Sequence, residues 1–215
     1  MVSAGLEILG LSLCVFGSLL VMVSCGLPMW RVTAFIEANI VVAQTIWDGL
    51  WMSCVVQSTG QMQCKVHDSV LALSHDLQAA RALTIISSVM GVLGLMVVIA
   101  GAQCTNCIQA EYVKARVVNA GGVIYIVSAL FVLVPLCWMA NNIISDFYNP
   151  QVPGSKKREI GAALYIGWAA TALLLIGGSM LCCSCPSSGN SGYSVKYAPT
   201  KRATPNGDYD KRNYV

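Results

Sequence analysis

The residues best suited to covalent chemistry in this chain are its ten cysteines, which fall into two main groups. Cys54 and Cys64 lie among polar residues, and such a pair forms a disulfide where the segment faces an oxidising compartment. A second group stands at the ends of long apolar runs: Cys104, Cys107, Cys182, Cys183 and Cys185. Cysteines at a membrane edge are typical sites of reversible palmitoylation. Zinc binding across two helix ends is the alternative, but paired zinc ligands normally lie in a compact soluble fold.

No arrangement in the sequence is typical of catalysis. The two histidines, His67 and His75, lie in the large loop and belong to no motif typical of an acid–histidine–nucleophile arrangement. Walker, Rossmann, nucleophile-elbow and zinc-protease motifs are absent. The long apolar runs carry no charged residue, which argues against a proton relay or an ion-coupled carrier. We therefore expect no enzyme activity, no cofactor, no metal and no nucleic-acid partner.

The composition is that of a membrane protein. Of the 215 residues, 56% are hydrophobic and 11% are charged, against about 25% charged in a soluble domain. Four stretches carry no charge: 8–30, 82–110, 117–145 and 160–183. Each is longer than the roughly 20 residues that cross a bilayer as a helix. The first stretch is too long for a signal peptide and has no Lys or Arg before it, so we expect a retained helix.

These stretches predict one bundle of four membrane-spanning helices. We expect the spans at 8–27, 82–102, 117–140 and 161–183. The remaining segments are an N-terminus at 1–7, a large loop at 28–81, a short loop at 103–116, a second loop at 141–160 and a tail at 184–215. Pro28 should end the first helix, and Pro135 should bend the third. Glycines on the later helices should permit close packing: Gly91, Gly94, Gly101, Gly121, Gly122, Gly167, Gly177 and Gly178.

Cysteine placement orients the chain better than charge does. With both termini on one side, that side carries seven Lys and Arg residues and the opposite side six. This split is too even for the positive-inside rule. A Cys54–Cys64 disulfide needs the large loop outside the cell, so both termini are expected in the cytosol. The tail is expected to be disordered, and its Tyr214-Val215 end with a free carboxylate suits a PDZ domain.

The segment Trp51–His67 predicts a β-hairpin. Two runs of alternating apolar and polar residues flank a turn signal at 58–60. If Cys54 faces Cys64, the apolar neighbours also pair on that face: Met52 with Val66, and Val56 with Met62. We expect this disulfide face to pack against the rest of the protein.

The opposite face of the hairpin pairs Ser53 with Lys65 and Trp51 with His67. Lys65 there is either an ordinary solvated charge or a charge directed at whatever passes along the outer face of the sheet. Around the hairpin we expect a further strand at Asn39–Trp47 and a helix starting at Asp68–Leu77. Arg81 should mark the membrane boundary, with its side chain reaching the lipid headgroups.

Motifs along the whole chain resemble those of the claudin family. The large loop carries the family signature: Trp30, Gly49-Leu50-Trp51, Cys54, Cys64 and Arg81. The later segments also match: Asp146-Phe147-Tyr148-Asn149-Pro150, Lys157-Arg158-Glu159 and Cys182-Cys183-Ser184-Cys185-Pro186.

The resemblance implies a left-handed four-helix transmembrane bundle with an extracellular antiparallel β-sheet of about five strands, four from the first loop and one from the second. It also implies a tight-junction protein of the plasma membrane that forms strands, seals the paracellular space and sets its charge selectivity. The implied partners are the protein itself and other claudins in cis and in trans, membrane lipid, and the PDZ domains of zonula occludens scaffolds.

The resemblance also assigns roles to single residues. The residue after the second cysteine, here Lys65, helps set charge selectivity, and a fixed cation predicts a cation barrier or a weak anion preference. His67 stands where close relatives have tyrosine and could add positive charge in mild acid. The trans-contact or toxin loop is Phe147-Tyr148-Asn149-Pro150-Gln151. Gln151 replaces the leucine of enterotoxin-binding members, and burying its amide unpaired costs about 1–3 kcal/mol, which argues against binding of clostridial enterotoxin.

The main alternative is an auxiliary subunit of a membrane channel, because claudin-like channel partners share the four-span plan and the Gly-Leu-Trp loop. Lys65, the second-loop motif at 146–150 and the Tyr214-Val215 end all favour the junction protein.

Overall fold

The computed structural model describes residues 2–35, 44–57, 59–67, 73–102, 111–151 and 157–184. Within these residues the chain forms four helices and five strands in the following order: α1 (Val2–Gly26), β1 (Arg31–Phe35), β2 (Gln44–Asp48), β3 (Met52–Val56), β4 (Met62–Val66), α2 (His75–Gly101), α3 (Glu111–Tyr148), β5 (Glu159–Ile160) and α4 (Ala162–Cys183). Several predicted features lie outside the described residues: the start of the strand at 39–43, Cys104, Cys107, Cys185 and the tail with Tyr214 and Val215.

Each of the four described helices is long and apolar enough to cross a membrane. Together with the five-stranded sheet they confirm the predicted fold class. The helices run past the predicted spans, most of all α3, whose 38 residues measure about 57 Å at 1.5 Å per residue. A bilayer core is only about 30 Å thick, so α3 is longer than a span requires. Pro135 lies inside α3 without ending it.

The helices pack in a ring in which α1 contacts α2 and α4, and α3 contacts α2 and α4. The predicted close approach at glycines is confirmed at all eight positions. Where α3 crosses α4, a Cβ on Gly122 would lie 2.9 Å from the Gly178 carbonyl oxygen. A side chain at either position would separate α3 from α4, since neighbouring backbones can come this close only at small residues.

The sheet has the order β4-β3-β2-β1-β5, with each strand antiparallel to its neighbours. The second loop supplies β5, which pairs with β1 through Arg31 and Ile160. The predicted hairpin register is confirmed, with Cys54 opposite Cys64 and Ser53 opposite Lys65. A disulfide joins the two cysteines. The predicted strand ending at Trp47 is present as β2, which ends one residue later, at Asp48.

The prediction that the disulfide face of the hairpin packs inward is wrong for β4. Cys54 on β3 is fully buried, but Met62 and Val66 are 56% and 64% exposed, and every residue of β4 is exposed. Alternation determines which side chains of β4 share a face, but it does not determine whether that face is covered. β4 is the outer strand of the described sheet, and its side chains remain exposed.

Candidate functional site: a polar row across the sheet

Trp30 attaches the sheet to the helices at one end. Its side chain is fully buried, and its indole Nε1–H donates to the Ser24 carbonyl at the end of α1 over 2.9 Å. Its backbone N–H donates to the Asp48 carbonyl of β2 over 3.0 Å, and the N–H of Gly161 donates to the Trp30 carbonyl over 3.3 Å. One residue therefore links the first helix, the sheet and the start of α4.

The Gly49-Leu50-Trp51 connection between β2 and β3 packs against the same region. A Cβ on Gly49 would collide with the Cα of Pro28, so only glycine allows this approach. Leu50 is fully buried, and Trp51 is 37% exposed.

Arg81 binds this connection rather than the lipid headgroups, so the headgroup prediction is wrong. It lies on the buried face of α2 and is 9% exposed. Its Nε donates to the Leu50 carbonyl over 3.0 Å, and its Nη2 donates to the same oxygen. The guanidinium carbon lies 4.6 Å from the centre of the Trp51 ring, within range of a cation–π interaction. Three signature residues, Leu50, Trp51 and Arg81, therefore meet at one place in the fold. The distance of 31 residues between Leu50 and Arg81 in the sequence did not indicate this contact.

His67 also contacts this connection. Its backbone N–H donates to the Trp51 carbonyl over 3.2 Å, as the predicted pairing of these residues requires. Its half-buried ring places Nε2 3.4 Å from the Gly49 carbonyl oxygen. The imidazole therefore lies beside the signature connection, two residues beyond Lys65.

A row of polar side chains crosses the sheet on the face that carries Lys65. Directly paired residues share a face in antiparallel strands, and the register joins Arg31 to Asp48, Asp48 to Ser53, and Ser53 to Lys65. We call these four residues the polar row. Arg31 is 5% exposed, Asp48 and Ser53 are half-buried, and Lys65 is exposed. The Ser53 hydroxyl donates to Asp48 Oδ1 over 2.9 Å.

The inner end of the polar row is fixed to the helix bundle. Arg31 Nη2 lies 3.6 Å from Asp76 Oδ2 at the start of α2. The amide Nδ2 of Asn142 on α3 donates to the same carboxylate oxygen over 3.0 Å. Arg31 Nη2 also contacts the sulfur of Met139 on α3 at 2.9 Å. The cation therefore ties β1 to both α2 and α3.

The electrostatic setting of Arg31 is unfavourable for its charge. Burial lowers the pKa of its guanidinium, and the positive charge of Arg158 lowers it further. The carboxylates of Asp76, Asp48 and Asp146 act in the opposite direction. Asp48 thus interacts electrostatically with the inner end of the row as well as with Ser53.

Sequence reasoning missed Asp48 and Arg31 as members of this face, although a signal for Asp48 was present. Only three residues separate β2 from β3, and a short connection fixes the register of the strands on either side. That register sets Asp48 opposite Ser53, which the hairpin already sets opposite Lys65. No comparable signal exists for Arg31, because its place opposite Asp48 depends on a pairing of β1 with β2 across a longer connection.

The second-loop residues lie at the end of α3, far in the sequence from the polar row. Phe147 and Tyr148 are 44% and 79% exposed and meet edge to face, with ring centres 5.7 Å apart. The Lys157 ammonium lies 5.1 Å from the Phe147 ring centre. After Pro150, the N–H of Gln151 donates to the Asn149 side chain over 3.0 Å, which closes the predicted turn.

Of the predicted lipidation sites, two are described. Cys183 at the end of α4 is exposed. Cys182 is half-buried, and its thiol lies 3.8 Å from the Asn119 carbonyl oxygen of α3. The two neighbouring thiols therefore face different surroundings.

Comparison with known proteins gives matches over nearly the whole chain. The sequence pattern of the PMP-22/EMP/MP20/Claudin family matches residues 4–181. The chain is 58% identical to claudin-5 of Homo sapiens over 99% of both chains. It is 57% identical to claudin-4 of Homo sapiens, over 94% of this chain and 97% of the relative. It is 55% identical to claudin-3 of Mus musculus, over 99% of this chain and 100% of the relative. These identities are too similar to single out one claudin type.

Proposed function

The chain belongs to the PMP-22/EMP/MP20/Claudin family, and on that premise we propose that it forms adhesive strands which seal the paracellular space at tight junctions. The observation that carries the proposal is the identity of 55–58% to claudins over both the helices and the loops. Claudins are structural junction proteins, so the expectations of a multi-pass membrane protein and of a chain without enzyme activity are confirmed at the level of the family.

Two exposed surfaces support self-assembly and pairing with other claudins in cis and in trans. The first is the edge strand β4, whose apolar residues Met62 and Val66 are more than half exposed. The second is the outer end of α3, where Phe147 and Tyr148 are exposed. An open strand edge and exposed aromatic side chains are both features of contact surfaces.

Expression in fibroblasts that lack junctions tests the proposal. A strand-forming claudin should give continuous intramembrane strands at cell contacts, seen by freeze-fracture electron microscopy. Surface expression without strands, together with altered currents through a co-expressed channel, would favour the auxiliary channel subunit instead.

In the same proposal, both termini lie in the cytosol and the sheet lies outside the cell. The disulfide supports this orientation, because such bonds persist in oxidising compartments. Epitope tags at either terminus should be stained only after permeabilisation, whereas a tag in the 152–156 segment should be stained on intact cells. Staining of the terminal tags on intact cells would show that the protein has the opposite orientation.

Lys65 gives the sealed space its charge selectivity in this proposal. It is exposed on the sheet, and a fixed cation beside a narrow aqueous path disfavours cation entry. Lys65→Asp should raise the sodium-to-chloride permeability ratio of a transfected monolayer, measured from dilution potentials. Thr59→Asp, which adds an acid at the exposed hairpin turn, should leave the ratio close to that of the parent. If strands of Lys65→Asp keep the parent sodium-to-chloride permeability ratio, Lys65 does not set the charge selectivity.

His67 adds a pH dependence to that selectivity. Histidine gains positive charge in the mildly acidic range, and the ring lies on the same strand end as Lys65. We expect cation permeability to fall modestly between pH 7.4 and pH 6 in the parent but not in His67→Tyr. Identical pH responses of the two proteins would contradict the role of His67.

The tail and the membrane-edge cysteines attach the protein to cytosolic partners and lipid. We expect Tyr214-Val215 to bind the PDZ domains of zonula occludens scaffolds, and deletion of Val215 should abolish capture of such a domain. Palmitate labelling should fall in Cys182→Ser/Cys183→Ser, and fall further when Cys104 and Cys107 are also replaced. Full retention of capture or of labelling would contradict the corresponding attachment.

Binding of clostridial enterotoxin should be weak. The Gln151 side chain is exposed beside the turn, where a leucine would offer an apolar contact. Gln151→Leu should therefore bind the toxin more tightly than the parent in a surface-binding assay. Equal affinities would show that this position does not limit binding.

A further inference from the structure

The two limbs of the second loop meet at Phe147. This residue lies near the end of α3, and Lys157 lies two residues before β5. The Lys157 ammonium stands 5.1 Å from the centre of the Phe147 ring, inside the roughly 6 Å within which a cation and an aromatic face attract each other. A cation–π contact therefore closes the second loop between residues 147 and 157.

The Lys157 side of this contact is attached to the sheet. Glu159 and Ile160 form β5, which pairs with β1. Directly after β5, the N–H of Gly161 donates to the Trp30 carbonyl over 3.3 Å. Because its backbone leads straight into a paired strand, Lys157 can restrain the end of α3 against the sheet.

An ordinary surface lysine would extend into solvent or pair with a carboxylate. Lys157 is half-buried instead. The ion pair found among the described residues joins Arg31 to Asp76, so no described carboxylate lies within ion-pair distance of the Lys157 ammonium. The face of the Phe147 ring is thus the partner that the described part of the chain offers this cation.

Phe147 in turn supports Tyr148. The two rings meet edge to face, with their centres 5.7 Å apart. Phe147 is 44% exposed and Tyr148 is 79% exposed. Phe147 therefore contacts both the cation and its neighbour, whereas Tyr148 leaves most of its surface open to a partner. Side chains that are held before binding lose less conformational entropy on contact, which strengthens the contact.

We propose that Lys157 is a positioning residue for adhesion, whose ammonium holds the Phe147–Tyr148 ring pair in the orientation that meets a second copy of this chain on the opposite cell. This role rests on the proposed adhesive function. The same ring pair on a second copy is a suitable partner, because aromatic rings pack well against each other and a tyrosine hydroxyl can both donate and accept a hydrogen bond. Loss of the Lys157 charge should weaken adhesion although every atom of the ring pair remains.

Lys157→Met tests the role of the charge, since methionine keeps an unbranched apolar side chain. Full-length Lys157→Met in lipid nanodiscs should bind fibroblasts that express the parent chain about two- to fivefold more weakly than the parent does, as expected for the loss of an exposed cation–π interaction. Lys157→Arg, which keeps a cation able to stack on a ring, should bind like the parent. The matched control is Lys156→Met, which removes the same charge one residue earlier and should also bind like the parent.

Fluorination of Phe147 tests the contact itself. Phenylalanines with one, two or three ring fluorines can be introduced by nonsense suppression. Each fluorine makes the negative face of the ring less attractive to a cation while the ring changes little in size. Affinity should fall stepwise with each fluorine in the parent and stay level in the Lys157→Met background. A purely steric role of Lys157 would give the same fluorine dependence in both.

The outcomes separate this role from the proposed function. If parent nanodiscs do not bind expressing cells and no strands form, the adhesive function itself fails. If the parent binds and Lys157→Met binds equally well, only the role of Lys157 is overturned. Binding of Lys157→Arg as weak as that of Lys157→Met, or an equal fluorine dependence in the presence and absence of Lys157, would also overturn it. Should Lys157→Met fail to fold, the fluorine series in the parent decides: a stepwise fall supports the role, and level affinities overturn it.

Discussion

The two ends of the sheet differ in what surrounds them. At the inner end, Trp30 and Leu50 are fully buried. Trp30 forms hydrogen bonds with α1 and with the residue that precedes α4, and the Leu50 carbonyl accepts from α2. At the outer end, every residue of β4 is exposed, and the disulfide ties the strand only to β3. The family signature residues other than the cysteines hold the sheet on the helices, whereas the residues proposed to meet ions and other claudins lie toward the outer end. A change at the inner end should therefore cost stability, and a change at the outer end should alter function while the fold persists.

The largest expected effect on stability is at Gly161, where β5 leads into α4. A Cβ there would collide with the Met29 carbonyl oxygen, which is backbone and cannot move aside. Gly161→Ala should lower the free energy of unfolding by about 3 kcal/mol, the upper range for overpacking. Thermal unfolding of detergent-purified protein would measure it.

The control for this change is Gly26→Ala at the end of α1. A Cβ there meets nothing within 4 Å, and alanine is the better helix former by about 0.5–1 kcal/mol. Equal melting temperatures for Gly161→Ala and Gly26→Ala would contradict the tight anchoring of the inner end.

A slightly smaller effect is expected at Arg81. Arg81→Met keeps most of the side-chain volume but removes two donors from the Leu50 carbonyl and the cation beside Trp51. The expected loss is about 2–3 kcal/mol, since hydrogen bonds to charged groups are worth about 1.5–3 kcal/mol.

The matched variant at the outer end is Lys65→Met, which removes a cation from an exposed strand. Its free energy of unfolding should change by less than about 0.5 kcal/mol, as at most surface sites. The comparison between the two ends fails if Lys65→Met destabilises the protein as much as Arg81→Met does.

The smallest effect at the inner end is expected for Trp30→Phe. This change retains an aromatic ring but leaves the Ser24 carbonyl without the indole donor, at a cost of about 1–2 kcal/mol. Trp138→Phe on α3, where the indole is 50% exposed, provides the control. Trp138→Phe should unfold close to the parent temperature, and a larger shift there than at Trp30 would show that the indole bond adds little.

Features that depend on local patterns could be predicted from the sequence. The charge-free runs indicated the four helices, because a span needs about 20 apolar residues wherever the chain runs afterwards. Alternation and the Cys54–Cys64 spacing indicated the hairpin register, because strand side chains repeat every two residues.

Features that depend on distant segments could not be predicted in this way. Arg81 was expected at the headgroups, but it binds the Leu50 carbonyl 31 residues earlier in the chain. The disulfide face of β4 was expected to pack, but no described helix covers it. In both cases the sequence pattern showed whether a side chain is charged or apolar. It did not show which part of the protein that side chain would contact.

The sequence by itself determined a four-span membrane protein with a stapled hairpin and an exposed Lys65, since apolar length, alternation and cysteine spacing are properties of contiguous residues. Only the tertiary structure decided that Arg31, Asp48, Ser53 and Lys65 form one row. It also decided that this row passes from a buried cation on the helix bundle to an exposed cation at the outer strand. The physical reason is that three strand pairings and a contact with α2 must all form before these four side chains share a face.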